Sequence, residues 1–546
     1  MRKKKILWVN EASWKNTGYS VYGREVLQRL HQVEEFEVAE LACYATEKMC
    51  AENPTPWKKY ANKPEENSPE FEKYVRSPSR VFGEEKFNEV CLHFQPDIVM
   101  DIRDWWMFEY QQRSPFRRFF HWAIMPTVDA MPQNPQWINT FASADSVFTY
   151  SEFGQKTIEQ QCDNIDFAGI ASPAASKDFY PIADKAQHKL DMGLDDKSII
   201  VGTVMRNQRR KLYPDLFKSF RQYLDTAKNP NVFLYCHKYY PDIGWETPGL
   251  LDSFGLNNRV LFSYKCTKCQ KFTVDFFKDS VTYCNSCKKF SKKLVGIDNP
   301  IDQTELNRIY NVFDVYVQYA NSEGFGMPQL EAAYAGVPVM SVNYSAMESV
   351  LDNVNGIRIP TISYSMECET GCYRAVPDNK RFVYELNKLI TSGNMRNRGI
   401  EMSKLANQHY NWDKTAQVWI DRFKQIEIKD SSDTWKSEVD IRIPVDTIPD
   451  DMHDLTDQVN YLFQHVLHKP EWIGGYLWAK TLRDCTFGYR VQNSEEDYYF
   501  NESHLPNADK YQKFGFADAA RDFINLRNQW NEWEQLRGEL NATNRI

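Results

Sequence analysis

Glu323 and Glu331 flank the stretch GFGMPQL, so seven residues with two glycines and a proline separate two carboxylates. A carboxylate accepts paired hydrogen bonds from neighbouring hydroxyls, as on a sugar or a ribose. A glycine turn lets the backbone approach a ligand closely, and the first N–H groups of a helix face an anion. Such a set fits a molecule with hydroxyls at both ends and phosphate between them, that is, a nucleotide sugar. The same residues also suit a capped helix with solvated glutamates, and spacing alone leaves both readings open.

Cys266, Cys269, Cys284 and Cys287 form a second set, C-x2-C, fourteen residues, C-x2-C. Two thiolate knuckles at this spacing make a tetrahedral zinc site of the closed, structural kind. Residues 265–293 carry eight lysines against Asp275 and Asp279, so side chains supply +6, and a tetrathiolate zinc would leave +4. Phe272, Phe276, Phe277, Tyr283 and Phe290 lie among them. This module could meet nucleic acid or another anionic acceptor. It could equally be a metal-stapled scaffold whose lysines aid solubility.

Both sets need elements to position them. DVYVQYA (314–320) alternates apolar residues and reads as a strand aimed at Glu323, while PQLEAAYAG (328–336) reads as a helix stopped by Gly336. The turn then lies at a strand's carboxyl end, where open α/β sheets bind ligands. KILWV, PDIVMDI and SVFTYS predict parallel strands before residue 151, and SIIVGTVM, NVFLYCH, RVLFSY and VPVMSV predict a second series from residue 198. The fold class is therefore α/β. Residues 1–180 form a first Rossmann-like domain and 181–410 a second, with the cysteine insert at 264–294 between RVLFSY and a helix whose Asp302 and Glu305 suit a capping box. Residues 411–428 predict a closing amphipathic helix, and 429–546 a mainly helical appendage.

At 546 residues, 42% hydrophobic and 26% charged, the chain suits two to four globular domains. A net charge of −8 argues against a surface coated for nucleic acid but leaves room for a local basic patch. The apolar run at Ile6–Val9 is too short for a signal peptide's core, and no stretch approaches the roughly 18 apolar residues of a membrane span. A cytoplasmic location follows, with the twelve cysteines as free thiols and metal ligands.

EGFGMPQLE followed by AAYAGVPVMSV resembles the signature of retaining GT-B glycosyltransferases of the family 4 type, two Rossmann-like domains facing a cleft. The resemblance implies that Glu323 contacts the transferred sugar, that Glu331 binds the nucleotide ribose, and that amides around Gly324, Phe325 and Gly326 hold sugar or phosphate. It implies an Arg and a Lys gripping the diphosphate, for which Arg206 and Lys211 have the spacing, with Arg209 and Arg210 close by. Gly18 stands where the family has its first-domain glycine loop, although NTGYS lacks the usual glycine pair. In HWAIMPTVDAMPQ, Asp129 and His121 are rival candidates for positioning sugar or acceptor. A structural role also suits each of them. The absence of a D-x-D triplet fits the family's metal-independent chemistry, so structural Zn2+ is the only metal expected and the nucleotide sugar is the co-substrate.

The function these readings support is transfer of a sugar from a nucleoside diphosphate to an acceptor hydroxyl with retention. The acceptor stays open between a hydroxymethylated DNA base, as in phage-type enzymes, and a glycan, lipid-linked glycan or protein. The alternative is a catalytically silent GT-B relative that binds nucleic acid or protein through the zinc ribbon and tail.

Overall fold

The computed structural model describes residues 2–428, apart from 115, 228 and 297. The expected appendage at 429–546 lies outside the described residues. Two sheets carry the fold. The first has seven strands: β1 (Lys4–Glu11), β2 (Phe36–Cys43), β3 (Lys58–Ala61), β4 (Ile98–Asp101), β5 (His121–Ile124), β6 (Ser146–Thr149) and β7 (Phe167–Ile170). They are all parallel, in the order β3-β2-β1-β4-β5-β6-β7. Ile6–Val9 at its centre are fully buried, as a strand covered on both faces requires.

The second sheet contains β8 (Ile199–Val204), β9 (Val232–His237), β10 (Val260–Cys266), β11 (Phe272–Phe276), β12 (Thr282–Cys284), β13 (Lys289–Leu294), β14 (Val315–Gln318), β15 (Val339–Val342) and β16 (Ile357–Ile359). Its parallel part runs β10-β9-β8-β14-β15-β16. A separate hairpin follows, β17 (Thr361–Met366) paired antiparallel with β18 (Tyr373–Pro377).

In each sheet the strand order reverses beside the first strand, between β1 and β4 and between β8 and β14. Chains leaving the carboxyl ends of such strands splay apart and leave a crevice there. The first sheet contributes the loops after β1, β4 and β5 to that crevice, and the second those after β8 and β14.

The cysteine insert grows out of the second sheet. Val260–Phe262 of β10 pair parallel with β9, while Tyr264–Cys266 pair antiparallel with β13. β11 runs along the other side of β10, and β12 pairs with β13. The insert ends before the helix Gln303–Val312, whose start is a capping box of Asp302 and Glu305.

The helix Trp412–Gln425 crosses back to the first sheet. Trp419 stacks on Phe148 with ring centroids 3.8 Å apart and donates through Nε1 to Tyr22 Oη at 2.8 Å. The Lys4 ammonium caps the helix's far end, bonding the carbonyls of Phe423 (3.0 Å), Lys424 (2.7 Å) and Ile426 (2.6 Å). Among the described residues no helix is long and apolar enough to cross a membrane.

Candidate active site

β14 ends at Gln318, and the chain turns through Asn321–Gly326 into the helix Met327–Tyr334. Gly326 precedes that helix at φ 87°, in the left-handed region, where a side chain would also press on Gln329. Glu323 is buried at this turn. Its carboxylate accepts from Gln318 Nε2 at 2.6 Å and Arg210 Nη1 at 2.6 Å, and is in contact with the Lys211 ammonium. Its amide donates to Ser345 Oγ at 2.9 Å.

Backbone pairing places the two cations. Lys211 forms a β-bridge with Ala320, Leu212 N donates to Tyr319 O at 2.9 Å, and Asn321 N donates to Arg210 O at 2.9 Å. The loop after β8 is thus zipped to the loop after β14. Arg206, expected to act with Lys211, lies outside this zipper. Its guanidinium is 53% exposed and forms a two-point pair with Asp242 at 3.0 and 3.1 Å. Arg210 stands beside Glu323 instead.

Glu331 lies inside the helix Met327–Tyr334 and accepts from Tyr310 Oη at 2.7 Å. Burial pushes its carboxyl up to about 7. A carboxyl poised there accepts two hydroxyls once ionised. Phe325 turns its ring into the core against Tyr410, at 5.6 Å, so only its backbone faces the turn.

The first sheet meets this turn directly. A Cβ added to Gly324 would lie 2.4 Å from Thr127 Cγ2, so a glycine is needed for the two halves to approach. Thr127 Oγ1 shares a hydrogen bond of 2.9 Å with Tyr19 Oη, which ties the loop after β5 to the helix Gly18–His31. Asp129 Oδ2 accepts from Arg374 Nη1 at 2.9 Å and from Ser322 Oγ at 3.3 Å. Arg374 also donates to Ser322 Oγ (2.6 Å) and Glu367 Oε2 (2.5 Å). Asp129 therefore reaches the residue next to Glu323.

His121 does not share that place. It begins β5, at the end of the strand opposite the crevice, and its Nε2 is 2.8 Å from Ser146 Oγ. The structure brings Asp129, and not His121, to the turn that holds Glu323. Gly18 is the first residue of its helix, with Thr17 as the cap, and nothing lies within 4 Å of where its Cβ would stand.

Asp104, Tyr19, Thr127, Ser322 and Arg374 join the site without having been singled out from the sequence. Asp104 follows β4 and lies near Tyr19, Thr127 and Asp129; burial, then the Asp129 carboxylate, pushes it up to about 6. The segment IRDWW just after β4 marks its location, but no motif marks its role.

The four cysteines of the insert come together, with sulfurs all within 4.8 Å of one another. Cys266–Cys287 and Cys269–Cys284 are 3.6 and 3.7 Å apart. A tetrahedral ion with ligand bonds near 2.3 Å sets sulfurs about 3.8 Å apart, so the cluster fits a metal. Hydrogen bonds from Ser291 Oγ and the Cys269 and Lys268 amides hold the Cys266 thiol down, whereas desolvation and the facing thiols push that of Cys269 up, as crowded sulfurs must.

Residues 295–405 match the family described as Glycosyl transferases group 1. A curated relative, the UDP-N-acetylglucosamine–peptide N-acetylglucosaminyltransferase GtfA subunit of Streptococcus pneumoniae serotype 4 (strain ATCC BAA-334 / TIGR4), is 37% identical over 65 residues. That match spans 12% of this chain and only 13% of the relative. Among solved structures, sucrose-phosphate synthase from Thermosynechococcus elongatus superposes with a TM-score of 0.56 at 15% identity, covering 78% of this chain and 99% of that one. Anabaena HepE, solved with UDP and glucose, gives 0.52 at 13% identity over 78% of this chain and all (100%) of its own. WaaG, a glycosyltransferase of lipopolysaccharide biosynthesis, gives 0.51 at 9%, covering 77% and 100%. Two facing sheets built on parallel strands, a glycine turn at the second switch point and these likenesses converge: the chain has the GT-B fold, and its residues 295–405 match the glycosyl transferases group 1 family.

Proposed function

We propose that the chain transfers a sugar from a nucleoside diphosphate to an acceptor hydroxyl, with retention at the anomeric carbon. The observation that carries this reading is the grouping of Glu323 with Arg210 and Lys211 at the switch point of the second sheet, facing Thr127 and Asp129 of the first. The donor's diphosphate would draw the two cations to itself and free Glu323 to accept sugar hydroxyls. Cations held there stabilise charge as the bond from C1 to the phosphate oxygen breaks. The acceptor oxygen bonds to C1 on the same face, and its proton passes to the departing phosphate. Ionised Glu331 accepts the ribose hydroxyls. HepE was solved with UDP-glucose, which supports a nucleotide-sugar donor.

Four thiolates select Zn2+ in a closed structural role, with no part in transfer. The cytoplasm, where thiols stay reduced, suits such a site. A hydroxymethylated DNA base is the acceptor that the lysine-rich insert favours, with a glycan as the other choice.

A panel of nucleotide sugars tests the proposal through release of nucleoside diphosphate. Glu323→Ala should lower turnover by about 100-fold or more with little change in donor affinity, and Glu331→Ala should chiefly weaken donor binding. If every donor is left intact while nucleic-acid binding persists, the chain is a binding module instead.

A further inference from the structure

The insert carries a surface that the transfer chemistry does not use. Tyr283 on β12 and Phe290 on β13 are direct cross-strand partners, edge to face with centroids 5.4 Å apart at 69°. Their exposures are 45% and 76%. A cross-strand aromatic pair ordinarily rests on a core, whereas this one is presented to solvent. Lys288 and Lys289 precede Phe290, and Lys293 follows three residues on. Lys265 is tied to Glu305 at 3.2 Å and Lys292 to Asp275 at 3.2 Å. Lys268, Lys271, Lys278, Lys288, Lys289 and Lys293 remain exposed.

Cations alone would suit any polyanion. Exposed aromatic faces set among them narrow the choice, because nucleic-acid bases have π-faces to stack on, whereas polyphosphates and acidic peptides have none. We infer that the Tyr283–Phe290 pair and its surrounding lysines form a docking surface for single-stranded nucleic acid. Unpaired bases stack on the rings, and the phosphates run along the lysines.

The surface is held rigidly. β10 belongs to both the parallel sheet and the insert, so the four-cysteine knuckle is built on the same strand as the sheet's edge. It rises from the carboxyl end of β10, two strand positions from β8, or about 10 Å across the sheet. A strand seated on it would pass along the flank of the crevice. The inference does not depend on sugar transfer, and binding is measured without donor, so failure of one reading leaves the other standing.

The test uses the full chain and fluorescein-labelled oligothymidine, read by anisotropy over a salt series, with the matching duplex, heparin and polyglutamate as competitors. Zinc content and circular dichroism confirm that each variant keeps its fold. Tyr283→Ala/Phe290→Ala should weaken oligothymidine binding about tenfold or more while leaving heparin binding unchanged. Lys288→Gln/Lys289→Gln should weaken both and flatten the salt slope by about 0.7 for each phosphate no longer neutralised. Oligothymidine affinity unmoved in the aromatic variant, with zinc retained, overturns the inference. So does a duplex that binds more tightly than the single strand, or heparin or polyglutamate binding that depends equally on the two rings.

Discussion

Asp129 and Arg374 form an ion pair of 2.9 Å that joins the first sheet's β5 loop to the β17–β18 hairpin beyond the second sheet. Both also bond Ser322 Oγ, one residue before Glu323. The pair therefore holds the two halves of the crevice together at the point where chemistry is proposed. Arg374→Ala leaves Asp129 and Glu367 without their shared cation. Because both carboxylates are partly solvated, the expected loss is about 1–3 kcal/mol rather than that of a fully buried pair. Thermal unfolding measures the loss, and turnover should fall alongside it.

Gly324 and Thr127 approach closely across the two loops. Gly324→Ala should cut turnover tenfold or more by forcing the loops apart, since its Cβ would meet Thr127 Cγ2. Thr127→Ser removes that methyl and keeps the hydroxyl shared with Tyr19. The double variant should recover much of the loss. An unrecovered double variant would show that steric contact is not the cause.

Arg210 and Arg206 should behave differently although both come from one basic loop. Arg210→Ala removes a cation bonded to Glu323, so donor affinity and turnover should each fall, by about 100-fold in turnover. Arg206→Ala breaks a pair with Asp242 whose arginine side is exposed and which does not touch Glu323, and should change either by less than threefold. Steady-state kinetics on the two variants separates the roles.

Glu331 gives a pH signature. Burial raises its carboxyl from the ordinary 4.5 to about 7, so the folded chain holds a proton that the unfolded chain releases near 4.5. The stability linked to that proton is present below pH 4.5 and is lost as pH rises through about 7, by roughly 1–2 kcal/mol after allowing for partial exposure. Donor affinity should run the other way and tighten from pH 6 to 8 as the carboxylate forms. Glu331→Gln should flatten both profiles, as read by thermal melts and donor titrations.

Chelation should release one metal ion per chain and unfold the insert. Because β10 is shared with the parallel sheet, melting should also begin at a lower temperature. Equal melting curves with and without chelator would separate the insert from the sheet's stability.

Some central strands were legible because burial on both faces demands an apolar run, as in KILWV, SIIVGTVM and DVYVQYA, whereas interior β2 and β5 were not, since FEVAELAC carries charges and HWAI is only four residues long. Edge strands were not. TISYSM of β17 is mostly exposed, so its pattern lacks the signature of burial, and Arg374 on its partner reaches the site only because the hairpin folds back. Spacing pointed to Arg206 with Lys211. The bridge from Lys211 to Ala320, which no local pattern encodes, brings Arg210 to Glu323. His121 and Asp129 lie in one stretch of sequence, but a strand runs between them and carries the first away from the crevice. The cysteine cluster was legible because its ligands are close in sequence and two short turns suffice to gather them.

The return of Trp412–Gln425 onto the first sheet means that, among the described residues, the polypeptide passes between the lobes twice. Two passages act as a torsion bar. One lobe can rock against the other about the line joining them, but sliding or wholesale separation would have to pull Trp419 off Phe148 and the Lys4 ammonium off three carbonyls. Any opening that keeps those contacts would therefore have to break the Asp129–Arg374 pair across the crevice while the Trp419–Phe148 stack stays closed.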